Sequence, residues 1–175
     1  MEALGAGAGL PPGKRKRYAN PEEAFIACTE WRGDCLVWTR PLTSKGYGYL
    51  RADGKDKRVH RYAWERERGP IPEGMFVDHV CHNRACVSVE HLRLATPGEN
   101  SRNRRGARAD SGTGVRGVTR TPYGFMVRVM FEGVFYGHFH SNLADAASEA
   151  AGLRADLYGE FAEKEEDAGA LAPHA

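Results

Sequence analysis

Residues 77–100 read VDHVCHNRACVSVEHLRLATPGEN and bring together Asp78, His79, Cys81, His82, Asn83, Cys86, His91 and Asn100, all able to bind a metal or move a proton. No packing core requires that density. The residues separate into two sets by their chemistry. Cys81, Cys86 and His91 are soft or borderline ligands, spaced as a knuckle whose sulfurs and imidazole can close on one tetrahedral zinc with a fourth ligand from elsewhere. Asp78, His79 and Asn100 offer a hard oxygen donor, an imidazole that takes a proton near neutral pH and an amide oxygen suited to magnesium. The first set reads as a structural metal site and the second as a catalytic one. His82 and Asn83 fit as loop residues that hydrogen-bond to backbone.

The order Asp-His, a middle His followed by Leu, then Asn at the start of a basic helix resembles the HNH nucleases, also called His-Me finger or ββα-metal nucleases. The Cys-x4-Cys-x4-His inside it is similar to the His-Cys box homing endonucleases, in which those residues and a distant Cys hold zinc. The resemblance implies His79 as general base, with Mg2+ (or Mn2+) on Asp78 and Asn100 bridging the scissile phosphate and its departing 3′ oxygen. It also implies a structural Zn2+. Zinc-bearing relatives take the distant Cys from upstream, which favours Cys35. Cys28 is the competitor, although a helical Cys on an apolar side commonly serves as a small buried hydrophobe. His91 either ligates zinc or, as in relatives without zinc, braces the loop that carries the catalytic His. Related nucleases place an Arg from outside the motif on the cleaved phosphate, and Arg61 is the candidate here.

These residues need elements to hold them. Asn20-Pro21-Glu22-Glu23 is a helix start, with Phe25, Ile26 and Cys28 on an apolar side. Residues 31–38, WRGDCLVW, place a Gly-Asp turn before a strand that Cys35 opens. A hairpin rich in Tyr and cations is expected over 46–59 around Ala52-Asp53-Gly54-Lys55, either to lie along DNA or as a solvated ribbon. A helix follows from His60 to a stop at Gly69-Pro70. The strand entering the motif ends at His79, and the segment through Cys86 makes a loop and second strand. Thr96-Pro97-Gly98-Glu99 has capping-box order, so a helix runs to about Arg105 with Asn100 in its first turn.

Beyond Asn100 the sequence is basic, with Arg102, Arg104, Arg105 and Arg108 able to meet phosphates. It then dissolves into a linker at 106–111. Residues 112–161 show three strand-like runs, at 115–120, 125–131 and 134–139, and then a helix over 142–158 with Ala146, Ala147 and Ala150 on its packing side. Val115-Arg116-Gly117-Val118, the Gly137 to Phe139 segment and the alanine-rich helix resemble the APETALA2/ethylene-response-factor DNA-binding domain. That family lays a three-stranded sheet in the major groove. The resemblance implies Arg116, Arg120 and Arg128 as DNA contacts, against a reading in which they are solvated charges of the sheet.

The full chain of 175 residues is 41% hydrophobic and 27% charged with net charge +2. Outside residues 160–175 there are 24 Lys and Arg against 18 Asp and Glu, or +6, which suits a polyanion partner. Residues 1–17 form an expected disordered arm ending in four cations, 18–105 the nuclease unit, and 162–175 an acidic tail. With no apolar leader and no segment of membrane length, a cytoplasmic, reducing setting is expected, where four cysteines mean zinc before disulfides. The fold class is α+β: a ββα-metal core with a zinc knuckle, plus a small three-stranded antiparallel sheet and helix. The expected activity is site-selective, homing-type cleavage of double-stranded DNA by a monomer or homodimer. A non-catalytic zinc-containing DNA-binding regulator, or a restriction or anti-phage nuclease, are the other readings. Cutting near Ala109 is expected to leave an active nuclease that discriminates poorly.

Overall fold

The computed structural model of the chain describes residues 18–104 and 106–162. The basic run at 14–17, Arg105 and the tail from 163 lie outside the described residues. The architecture is α+β, built from small antiparallel sheets and short helices around two hydrophobic clusters.

Helix α1 (Pro21–Ala27) is capped by Asn20, whose side chain accepts from the Glu23 amide, with Glu22 and Glu23 in its first turn. It buries Phe25, but Ile26 is 64% exposed. A seven-residue helix meets the core along one line only, so its apolar side is narrower than the sequence suggests. β1 (Thr29–Arg32) and β2 (Cys35–Trp38) form a hairpin with Arg32 opposite Cys35. β3 (Tyr49–Ala52) and β4 (Lys55–Arg58) form a second, joined by Asp53 and Gly54. Both turn residues have positive φ, +52° and +72°, the pairing that matches the twist of the strands. Helix α2 (Val59–Arg68) follows directly and ends at Gly69. Phe25, Cys28, Trp38, Leu50, Ala52, Val59, Ala63, Val87 and Val89 make the first core. Gly48 lies against the Trp38 indole so closely that a Cβ there would sit 2.3 Å from the ring.

β5 (Phe76–His79) and β6 (Leu92–Ala95) pair antiparallel, with Asp78 opposite Arg93 and His79 opposite Leu92. Between them lie a loop and a short 3-10 turn (Val89–His91). The paired strand therefore begins after the knuckle rather than at Cys86, which makes only a single bridge to Val37. Helix α3 (Pro97–Arg102) carries the reciprocal Thr96–Glu99 capping box. It stops at Arg102, earlier than the basic composition suggests.

In the C-terminal unit β7 (Val118–Thr121), β8 (Gly124–Val127) and β11 (Phe139–His140) form a three-stranded sheet in the order β11-β8-β7. β9 (Val129–Phe131) and β10 (Val134–Tyr136) form a separate hairpin across Glu132-Gly133. The long run expected at 125–131 is broken at Arg128, whose amide turns to the Gly117 carbonyl. Phe125, Val127 and Val129 still face inward across the break. Helix α4 (Leu143–Tyr158), capped by Asn142, packs Ala146 and Ala150 fully buried against the sheet and ends in a 3-10 turn (Gly159–Phe161).

Candidate metal and hydrolytic centre

The knuckle closes on itself. One ligand atom each from Cys35, Cys81, Cys86 and His91 lies within 4.8 Å of every other. Cys35 reaches the cluster because β2 lies beside the loop: the Trp38 amide donates to Ala85 and the Val87 amide to Leu36. His91 Nδ1 is 3.5 Å from the Cys35 sulfur and 3.6 Å from that of Cys86. Tetrahedral zinc bonded to S and N would impose an S···N separation of about 3.6 Å, so the donor set fits that ion. Cys28, the competitor, is buried in the first core with its Sγ 3.1 Å from the Tyr18 hydroxyl.

The thiols compete for one negative charge. Cys81 is lowered to about 5 by its hydrogen bond from Cys86, and Cys86 is pushed up by that same bond and by burial. Burial raises Cys35. Packed thiols of this kind shed their protons together only when a cation replaces them.

Cys86 serves the second set as well. Its carbonyl oxygen lies 3.1 Å from His79 Nε2. A carbonyl can only accept, so Nε2 carries the proton and Nδ1 keeps its lone pair. Burial lowers the His79 pKa and favours the neutral ring. Ring contacts from His60, centroids 4.7 Å apart, and Tyr47, 6.1 Å, flank it. His60, buried on α2, is itself held down to about 3 by burial first and by the neighbouring His79 second.

Asp78 accepts hydrogen bonds from Arg93 Nε and Nη2, both 3.2 Å, and from Asn103 Nδ2, 2.8 Å. All three fall on Oδ2, and Oδ1 accepts none of them. Asn103 also reaches the His79 carbonyl at 3.2 Å. A cleft lined by Tyr47, Asp78, His79, His82, Arg84, Asn100 and Arg104 opens over this group, so Asn100 shares a surface with Asp78 and His79. His82 stands there with φ +56°, an uncommon conformation for a non-glycine residue.

Asn103, Arg93 and Tyr47 were not singled out by sequence reasoning. Asn103 follows Asn100 by three residues, one helical turn, and that spacing was the available signal. Arg61, half-buried on α2, is not among the residues that line the cleft; Arg84 and Arg104 are. The Tyr47 ring sits beside Arg58, 4.7 Å away, and Arg84, 5.6 Å.

Of the other basic residues, Arg102 packs over the Phe131 ring at 4.7 Å. Arg116 donates to the carbonyls of Arg102 and Arg104. Both are thereby directed at the junction between the units. Arg120 and Arg128 are exposed, with Arg120 over the Phe125 ring at 4.9 Å. Among the described residues no helix is long and apolar enough to cross a membrane.

Comparison with known proteins converges on these elements. Residues 57–102, from the end of β4 through α3, match the HNH endonuclease family model. The chain is similar to Protein 7.7 of Escherichia phage T7, 44% identical over 68 residues, which are 39% of this chain and 52% of that one. It thus spans about half the length of that relative. A protein of Acanthamoeba polyphaga mimivirus described as an uncharacterized HNH endonuclease is 28% identical over 148 residues, 79% of this chain and 72% of its own. No solved structure matches the chain. Protein 3.8 of Escherichia phage T7 is 32% identical over 110 residues, 62% of this chain and 90% of that one. With nine-tenths of that relative covered and the family's model lying across the Asp78–His79 strand and the Asn100 helix, the chain belongs to the HNH endonucleases.

Proposed function

We propose that the chain is a metal-dependent, site-selective DNA endonuclease of the homing type that hydrolyses phosphodiester bonds with His79 as general base. The single observation that carries this reading is the bond from His79 Nε2 to the Cys86 carbonyl, which turns an unprotonated Nδ1 to serve as acceptor. His79 takes a proton from the attacking water at Nδ1 and is kept neutral beforehand by burial. Asp78 offers Oδ1 and Asn100 its amide oxygen to one Mg2+ or Mn2+. When bound, that ion would neutralise charge on the phosphate and its leaving oxygen. Arg84 and Arg104, on the rim of the same cleft, attract and orient the DNA backbone. The four-ligand site of Cys35, Cys81, Cys86 and His91 suits a structural zinc, because a closed tetrahedral set has no open position.

The C-terminal unit, read as an APETALA2-type module, is assigned the choice of site. Its exposed Arg120 and Arg128 support that role. A restriction or anti-phage setting would use the same chemistry on another target. A non-catalytic regulator would leave the cleft over Asp78, His79 and Asn100 without a use.

The test is cleavage of supercoiled plasmid in Mg2+ by the zinc-loaded chain. His79→Ala is expected to lower the rate by about 10²- to 10⁴-fold while duplex binding, read by mobility shift, is retained. An undiminished rate in the variant removes His79 from the mechanism.

A further inference from the structure

Asp78 is held by Arg93 and Asn103, and both of those are held in turn by the C-terminal unit. The Arg93 guanidinium uses one edge on Asp78 Oδ2 and turns Nη1 to the Glu160 carbonyl, 2.5 Å away, with the Glu160 carboxylate at 3.8 Å. Its flat face lies 3.9 Å from the centroid of the Phe161 ring. The Arg93 and Asp78 side chains are 13% and 9% exposed, so water screens this pair little. Asn103 is bracketed in the same way, since Arg116 donates to the carbonyls of Arg102 and Arg104 on either side of it. Arg102 closes the junction over Phe131 and Tyr158.

We propose that Arg93 is a positioning residue that joins the hydrolytic centre to the segment Gly159–Phe161, so that Asp78 is aligned for a cation only while that segment is docked. The proposal rests on the reading of Asp78 as a ligand of the catalytic cation. A carboxylate on a strand end is free to rotate about its last torsion, and a cation binds best to one already turned toward it. Arg93 removes that rotation by fixing Oδ2. Phe161 and the Glu160 carbonyl remove the remaining freedom of Arg93, which a four-torsion side chain otherwise keeps. Any contact that shifts the C-terminal unit, such as engagement of its sheet by DNA, is therefore felt as a change in cation affinity.

The experiment uses the full, zinc-loaded chain and Phe161→Ala, with Phe161→Tyr as the variant that keeps the aromatic face. Binding of Mn2+ is followed by the electron paramagnetic resonance of the free ion, with Asp78→Asn as the baseline for adventitious sites. Cleavage is measured against Mg2+ concentration in parallel. Phe161→Ala is expected to weaken Mn2+ binding and raise the half-saturating Mg2+ about 10-fold, with the rate at saturating Mg2+, the zinc content and DNA affinity retained. Phe161→Tyr is expected to behave as the unaltered chain.

Identical Mn2+ and Mg2+ curves for Phe161→Ala and the unaltered chain overturn the proposal, as does a lower maximal rate with no shift along the Mg2+ axis. If the unaltered chain binds no more Mn2+ than Asp78→Asn, the ligand reading of Asp78 fails, and this proposal falls with it. If Phe161→Ala melts at low temperature, Phe161→Leu keeps apolar volume without the ring and is read by the same outcomes.

Discussion

His79 Nε2 and the Cys86 carbonyl oxygen are 3.1 Å apart, and the thiol of that same Cys86 belongs to the four-residue metal cluster. One residue therefore fixes the tautomer of the proposed base and closes the knuckle. The two sets of residues interleaved in the sequence are mechanically one.

Emptying the four-ligand site should therefore cost activity even though the proposed mechanism gives that site no chemical step. Cys86→Ser and Cys35→Ser are each expected to lose bound zinc and plasmid cleavage together, while Cys28→Ser keeps one zinc per chain and loses only stability, by about 1 to 3 kcal/mol for a buried hydroxyl. Metal analysis of freshly purified protein beside a cleavage assay decides it. Zinc retained in Cys35→Ser would place the fourth ligand elsewhere.

Acid should destabilise the nuclease unit through His60. Its folded pKa is depressed to about 3 from an ordinary value of about 6.5. Between those values the unfolded chain binds the proton and the folded chain does not, so stability falls as the pH falls, by up to about 1.4 kcal/mol per pH unit for this one group. Above about pH 6.5 both states are neutral and the effect vanishes. From about pH 7.5 to 5 the melting temperature of the unaltered chain is expected to fall by more than that of His60→Phe, which lacks this titrating group. Parallel curves would refute the assignment.

The three arginines assigned to DNA in the C-terminal unit should divide. Arg128→Ala and Arg120→Ala, exposed in the structure, are expected to reduce preference for the cognate site by about 1 to 3 kcal/mol if either pairs with a base. Arg116→Ala is expected to lower the melting temperature, because its guanidinium holds the carbonyls of Arg102 and Arg104. Cleavage mapping on a randomised target library, with a thermal melt of each variant, separates the two effects.

A chain ended near Ala109 is expected to cleave poorly at low Mg2+, contrary to the independence that the linker composition suggests. The cut removes Glu160 and Phe161 from Arg93, and Phe131 and Tyr158 from Arg102. What remains is an Arg93–Asp78 pair opened to water on one side, where screening and the regained freedom of the Arg93 side chain loosen its hold on Asp78. A Mg2+ titration of the cut and full chains reads this out, and matching curves would restore the independence of the units.

Much of the site was legible before folding because its chemistry depends on residue type and short spacing. Cys81, Cys86 and His91 lie within one loop, and the capping box at Thr96 and Glu99 set the start of the helix that brings Asn100 to the cleft. The preference for Cys35 over Cys28 comes from the resemblance to zinc-bearing relatives, which take the distant Cys from upstream, with the apolar helix side counting against Cys28. The β6 boundary was misplaced since a knuckle held by metal ligands leaves no hydrophobic alternation to read between Cys86 and His91. Arg93 and Asn103 are not legible in the sequence for a different reason. Arg93 meets Asp78 only through the β5–β6 register and the Glu160 carbonyl only through a turn 67 residues further along the chain. The sequence offers Arg116 as a DNA contact or a solvated charge, but whether a guanidinium meets phosphate or a neighbouring carbonyl depends on which surface packs behind it. Local spacing determines which atoms this chain can offer to a metal or a proton, while long-range packing decides which of its cations are left free to meet DNA and which hold the site together.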